Sequence, residues 1–135
     1  MPIVVDATVT VAWFFQDESS TASEAVLDRL RDTEAIVPPL WQLEVTNALL
    51  VAETRGRLSE AQAARLLALL AQLPITIDQS PADTVTVHAC ARRHNLSAYQ
   101  ASYLVLAQQH ALPLATTDNA LAEASRLAGV HLVDA

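Results

Sequence analysis

Short apolar runs alternate with longer segments of helical periodicity along the chain. Five runs have the length and composition of buried strands, at residues 3–5, 35–37, 75–77, 114–116 and 131–133. Strands separated by helices predict a parallel sheet with right-handed crossovers and helices on both faces. Since no internal repeat or linker interrupts the pattern, residues 1–135 are predicted to form a single α/β domain with about four to five central strands.

Several of the predicted helices have recognisable starts. Ser59 and Gln62 have the spacing of a capping box, and Ser80-Pro81 predicts a helix with proline at its first position. The proline pair at positions 38 and 39 opens a predicted helix that runs to about residue 53. A further helix is predicted from Ser97 to near residue 110.

Composition narrows the class of protein. Hydrophobic residues make up 52% of the chain and charged residues 17%, which excludes a disordered polymer. The uncharged segment from His94 to Thr117 is too polar for a membrane span, and no signal peptide is visible. Cys90 is the single cysteine, so an intramolecular disulfide is impossible. That fits a reducing compartment, and we expect a cytoplasmic protein without membrane contact.

The net charge of −7 restricts how a nucleic acid could be held. All eight basic residues are arginines. A protein that binds nucleic acid mainly by neutralising phosphates is normally basic. An RNA substrate would therefore be held by metal ions or by a few local arginines, and a basic protein partner fits the charge equally well.

Two acids follow the ends of predicted strands. Asp6 comes after the run at 3–5, and Asp118 comes shortly after the run at 114–116. Because ligands bind beyond the carboxyl ends of parallel strands, both acids are expected on one edge of the sheet. Helix N-capping is the ordinary explanation for each acid alone. Together at adjacent strand ends, they become a candidate site.

Glu44 lies on a predicted apolar stripe of the helix that follows Pro39. Burial of an unpaired carboxylate costs several kcal/mol, so Glu44 needs a cation, hydrogen-bond donors or solvent. The alternative is a glutamate at the edge of the stripe that reaches water. The stripe has the spacing i, i+3, i+4 and comprises Leu40, Leu43, Glu44, Asn47, Ala48 and Val51.

Asp6, Glu44 and Asp118 would form an all-oxygen site if they met at one edge. Mg²⁺ and Mn²⁺ prefer such ligands, and these ions activate water for phosphodiester cleavage. No His and Cys residues are clustered at zinc spacing. Gly56 and Gly129 are the only glycines, so the chain has no glycine-rich phosphate loop.

Four segments resemble the motifs of the PIN-domain family, in the family's order and spacing. They read VVDAT at 4–8, PLWQLEVTN at 39–47, LSAYQASY at 96–103 and LPLATTD at 112–118. The resemblance implies a three-layer α/β/α fold and an Mg²⁺- or Mn²⁺-dependent ribonuclease, similar to VapC-type toxins that a cognate antitoxin neutralises. Carried over by position, the metal-binding and catalytic acids are Asp6, Glu44 and Asp118, and the accompanying polar residues are Thr8, Asn47 and Thr116.

Gln100 departs from the family pattern, which has an aspartate at this position. The resemblance implies that Gln100 stands at a corner of the metal site, where an amide oxygen can coordinate a cation but supplies no charge. Gln100 also has capping-box spacing with Ser97, and this role would explain it without a metal. The chain is therefore an enzyme with weakened activity, or a PIN fold that has lost catalysis and works as an interaction module.

The interaction module is the main alternative to an enzyme. A phosphoacceptor receiver domain has similar alternation, but it needs a lysine that this chain lacks. Apolar helix surface and the acidic charge lead us to expect a homodimer and an antitoxin with a basic, amphipathic segment. Residues that would suit such a surface, but are more commonly core, are Trp13, Phe14, Phe15, Trp41, Val45, Leu49 and Ala52.

Overall fold

The computed structural model describes residues 1–133, and its helices and strands alternate as predicted. None of the helices in that range combines the length and apolar character that crossing a bilayer requires. The strands are β1 (Ile3–Val5), β2 (Ala35–Val37), β3 (Ile75–Ile77) and β4 (Leu114–Ala115). The helices are α1 (Ala7–Ala12), α2 (Thr21–Arg29), α3 (Leu40–Thr54), α4 (Glu60–Leu70), α5 (Thr84–His94), α6 (Ala98–His110) and α7 (Asn119–Leu127).

The four strands form one sheet in the order β3-β2-β1-β4, and every pairing is parallel. All four carboxyl ends therefore meet at the same edge. In the pairing of β1 with β4, Val4 is level with Leu114 and Val5 with Ala115. The next residues, Asp6 and Thr116, consequently leave the sheet side by side.

Side chains of β1 alternate between two hydrophobic cores, one on each face of the sheet. Val4 packs with residues of α3, α6 and α7, among them Trp41, Tyr103 and Leu121. Ile3 and Val5 pack on the opposite face. That core includes Val9 of α1 and Val26 of α2. Helices thus cover both faces, and the predicted three-layer α/β/α arrangement is confirmed.

Two predicted elements differ from the structure. The fifth strand is reduced to one parallel bridge between Leu114 and Leu132. The reason is that β4 has only two residues, since the chain leaves the sheet at Thr116. The helix predicted to begin at Pro81 begins instead at Thr84, because the side chain of Asp83 caps it by accepting from the Thr86 backbone N–H.

Of the two apolar stripes that the sequence predicts on α3, only one is the buried face. Its buried residues are Trp41, Val45, Leu49 and Ala52. Leu43 of the predicted stripe is 74% exposed and Val51 is 39% exposed. Because α3 is apolar on several sides, periodicity alone does not select the packed face. Glu44 lies at the boundary between the buried and exposed faces and is half-buried.

Candidate active site

Asp6 is a buried carboxylate at the carboxyl end of β1. It is 2% exposed, and its backbone N–H donates to the Ala115 carbonyl at 3.1 Å. Oδ1 accepts from the Thr8 hydroxyl at 2.6 Å and from the Val9 backbone N–H at 3.1 Å. Oδ2 accepts from the Thr116 hydroxyl. Asp6 therefore caps α1, as the ordinary explanation predicted, and it also joins β1 to the loop after β4.

Asp118 caps α7 from the neighbouring strand end. Its Oδ1 accepts from the backbone N–H groups of Ala120 at 2.9 Å and Leu121 at 3.2 Å. The Asp118 backbone N–H donates at 2.9 Å to the same Thr116 hydroxyl that donates to Asp6. Thr116 thus links the two acids through one oxygen, so the structure brings Asp6 and Asp118 together.

Thr8 makes a second link between the two strand ends. Its hydroxyl donates to Asp6 and accepts from the Thr117 backbone N–H at 3.1 Å. Thr8 and Thr116 therefore bind one oxygen of Asp6 each. Both were predicted to lie near the acids, and the structure places them there.

Gln100 uses both ends of its amide. Its Oε1 accepts from the Ser97 backbone N–H at 2.8 Å, and its backbone N–H donates to the Ser97 hydroxyl at 3.1 Å. This is the predicted capping box of α6. Its Nε2 donates to Asp118 Oδ2 at 2.7 Å. Gln100 therefore contacts Asp118 as a donor, while its amide oxygen is bound to the N-cap residue of its own helix.

Glu44 meets the same region through Tyr103. The Tyr103 hydroxyl donates to Glu44 Oε1 at 2.5 Å, across the boundary between α6 and α3. Tyr103 is 3% exposed. Burial, the bond to Glu44 and the charges of Glu44 and Asp6 raise the Tyr103 pKa above its usual range, while the Ala7 backbone N–H opposes them. The tyrosine thus remains a neutral donor between two acids.

The site carries negative charge without a basic partner. Burial raises the pKa of Asp6, the charge of Asp118 adds to this, and the bonds from Thr116, Thr8 and Val9 act against it. Ion pairs in the described part of the chain involve other acids, and no Arg or His nitrogen lies within 4.0 Å of an Asp6, Glu44 or Asp118 carboxylate. A site of this kind is stabilised by a bound cation.

The oxygen atoms of the site are of the type that coordinates a hard cation. This edge of the sheet offers the carboxylate oxygens of Asp6 and Asp118 and the hydroxyl oxygens of Thr8 and Thr116. Oxygen atoms of this kind are the ligands that Mg²⁺ and Mn²⁺ prefer. Across residues 1–133, no group of three or more His, Cys, Asp or Glu side chains is arranged to hold a metal ion. Glu44 is bound to Tyr103 and Asp118 to Gln100, so the three acids do not form a preformed metal cage. What suits a hard cation is the type of the ligand atoms.

One residue that the sequence assigned to the site lies outside this network, and two residues of the network were not predicted. Asn47 is exposed, and no side-chain hydrogen bond joins it to the acids within residues 1–133. Tyr103 was not identified as a site residue, because a tyrosine on an apolar helix normally indicates core. Thr10 was missed as well: its hydroxyl donates to the Asp6 carbonyl at 3.1 Å and accepts from the Trp41 indole N–H at 3.0 Å.

Fold and site together define a class of protein. It is a small parallel α/β/α domain with linked acids at the carboxyl edge of its sheet, beside the N-termini of α1 and α7. The family model of the PIN domain matches residues 3–127. The chain therefore belongs to the PIN-domain family, as its four motifs predicted.

Known proteins of similar sequence and structure support this family assignment. Ribonuclease VapC3 from Pyrobaculum aerophilum is 28% identical over 125 residues, covering 91% of this chain and 94% of that protein. The crystal structure of PAE2754 from Pyrobaculum aerophilum has a TM-score of 0.74 at 23% identity and covers 98% of this chain and 84% of that chain. The structure of FitAcB from Neisseria gonorrhoeae has a TM-score of 0.67 at 19% identity and covers 99% and 97%. The two structures share the PIN-like fold.

Proposed function

We propose that this chain is a divalent-metal-dependent endoribonuclease of the VapC toxin type, which hydrolyses RNA phosphodiester bonds. The observation that carries the proposal is the buried Asp6, linked through Thr116 to Asp118. Within residues 1–133, no Arg or His nitrogen lies within 4.0 Å of either carboxylate. Membership of the PIN family and similarity to a protein named as a ribonuclease support the same activity.

In this proposal Asp6, Glu44 and Asp118 hold Mg²⁺ or Mn²⁺. Such an ion supplies an activated water molecule and stabilises the displaced oxygen of the phosphodiester. Thr8 and Thr116 keep the Asp6 carboxylate in one orientation, because each donates to one of its oxygens. Burial excludes water from Asp6, which strengthens the attraction between its charge and a cation.

The partners follow from surface chemistry and family. We propose a cytoplasmic homodimer that a cognate antitoxin neutralises through a basic segment directed at the acidic edge. Its support is the net charge of −7, since complementary charge speeds and orients association. Apolar side chains exposed on α3 and α4 support dimerisation; they are Leu43, Leu50, Val51, Leu67 and Leu69.

RNA cleavage by purified protein tests the activity. We expect cleavage with Mg²⁺ or Mn²⁺, none with EDTA, and a loss of at least about 10²-fold in Glu44→Gln. Glu53→Gln, on the same helix and away from the acids, is the matched control and should cleave like the wild type. Cleavage that survives EDTA or Glu44→Gln would contradict the metal-site proposal.

The second candidate function is an interaction module with little or no catalysis. It is favoured by one observation, the Gln100 amide oxygen bound to Ser97 instead of lying free beside the acids. This candidate predicts no cleavage under any metal condition, with the dimer or antitoxin complex still forming.

A further inference from the structure

Two neutral donors of α6 each hold one acid of the candidate site. Gln100 Nε2 lies 2.7 Å from Asp118, and the Tyr103 hydroxyl lies 2.5 Å from Glu44. Residues three apart on a helix face the same way, so both donors point toward the acids. Since α6 contains no Asp or Glu, the helix contributes hydrogen bonds to the site and no negative charge.

Helix capping explains only one of the two hydrogen bonds that the Gln100 side-chain amide makes. The chain contains the same capping box on α4, where Gln62 Oε1 accepts from the Ser59 N–H at 2.8 Å and the return bond is 3.1 Å. The α6 box has the same two distances. Gln62 is exposed, whereas Gln100 is half-buried and donates to Asp118. The bond to Asp118 is therefore additional to capping.

The Tyr103 hydroxyl likewise has a use beyond packing. A phenylalanine would fill the core equally well, and a buried hydroxyl is costly unless it is hydrogen-bonded. Its side-chain partner is Glu44, which comes from a different helix, 59 residues away in sequence. A glutamate has several rotatable bonds, and a donor in a fixed place selects one of its orientations.

We infer that Gln100 and Tyr103 are positioning residues, Gln100 for Asp118 and Tyr103 for Glu44. Neutral donors of α6 orient the acids, and Gln100 is not itself a metal ligand. The two hydrogen bonds are observed independently of any metal. Metal binding by the acids rests on the proposed function. Losing a partner that orients a metal ligand typically lowers metal affinity about 10–100-fold.

The metal role is tested by Mn²⁺ titration of Tyr103→Phe, followed by calorimetry and by the EPR spectrum of the bound ion. The matched control is Tyr99→Phe, which removes the same hydroxyl from the same helix at a position that is 65% exposed. We expect about 10–100-fold weaker Mn²⁺ binding and an altered spectrum in Tyr103→Phe only. Wild-type affinity and spectrum in Tyr103→Phe would overturn the role of Tyr103.

The hydrogen bonds are tested without metal, by NMR in EDTA. One Gln100 side-chain amide proton should resonate downfield of the Gln62 amide in the same spectrum and move upfield in Asp118→Asn, which retains an N-cap residue. The Tyr103 hydroxyl proton should move upfield in Glu44→Gln. Gln100 and Gln62 amides with the same shifts would overturn the role of Gln100. Both bonds present in a protein that binds no Mn²⁺ would support the positioning and contradict the proposed function.

Discussion

Replacing Gln100 with aspartate tests the bond to Asp118 apart from the capping bond to Ser97. Aspartate can still accept a hydrogen bond, but it places a negative charge where the amide now donates. In EDTA, the variant loses a hydrogen bond to a charged group, worth about 1.5–3 kcal/mol. It also places a second carboxylate beside Asp118, which costs about 1–4 kcal/mol at 4 Å, depending on the effective dielectric constant. Since the two effects overlap, we expect the free energy of unfolding to fall by about 2–4 kcal/mol in urea denaturation.

In the presence of a divalent ion, the added carboxylate of Gln100→Asp becomes favourable. Four carboxylates attract the ion more strongly than three, and this gain should outweigh the loss of the orienting bond from Gln100 to Asp118. Gln100→Asp should therefore bind Mn²⁺ at least about tenfold more tightly than the wild type. Bound metal should then restore much of the lost stability, since a ligand that binds only the folded state stabilises it. RNA cleavage should rise by about 10²–10³-fold, the usual effect of one group that stabilises transition-state charge.

Gln62→Asp is the matched control for this experiment. It makes the same substitution at the same position of a capping box, on α4, where the glutamine amide is exposed. It should lower the free energy of unfolding by about 1 kcal/mol or less and leave the response to Mn²⁺ unchanged. If Gln62→Asp and Gln100→Asp behave alike in EDTA and in Mn²⁺, Gln100 is only a cap residue and the reasoning is refuted.

Two further substitutions test the surroundings of Asp6. The pKa of Asp6 is raised above 3.8 in the folded state, so the folded protein becomes less stable as the pH rises from 3.8 to the folded pKa. In EDTA, the free energy of unfolding of the wild type should therefore fall relative to that of Asp6→Asn across this range. A difference between the two proteins that stays constant with pH would contradict this. Thr10→Val leaves the buried Trp41 indole N–H without its acceptor and should cost about 1–3 kcal/mol by urea denaturation. Thr54→Val, at an exposed position of α3, should change the free energy of unfolding by no more than about 0.5 kcal/mol. Equal losses in Thr10→Val and Thr54→Val would contradict the reasoning.

The sheet and its acidic edge were predictable because both depend on local pattern. Apolar runs rich in Val and Ile located β1, β2 and β3 at their observed bounds. Parallel strands have their carboxyl ends at one edge, so Asp6 and Asp118 could be expected there together. The capping boxes at Ser59 and Ser97 were readable for the same reason, since each lies within four consecutive residues.

What could not be predicted depends on contacts between distant segments. Asp118 is 18 residues from Gln100, and Tyr103 is 59 from Glu44; neither pairing leaves a trace in periodicity. Periodicity could not choose between the two apolar stripes of α3, because Leu43 is as apolar as Leu49, yet only Leu49 meets the core. The fifth strand was overestimated because its partner β4 has only two residues, which leaves one bridge between Leu114 and Leu132.

Helix capping explains how an acidic chain without lysine tolerates these carboxylates. Asp118 receives two backbone N–H groups of α7, and Asp6 receives one from α1, so peptide dipoles partly replace the missing basic side chains. The compensation is incomplete, because burial still raises the pKa of Asp6. The folded state therefore retains an electrostatic cost at neutral pH that a bound cation would remove. For this reason, metal should raise the free energy of unfolding more in the wild type than in Asp6→Asn. The difference between the two increases measures how much of the electrostatic cost at Asp6 a bound cation removes.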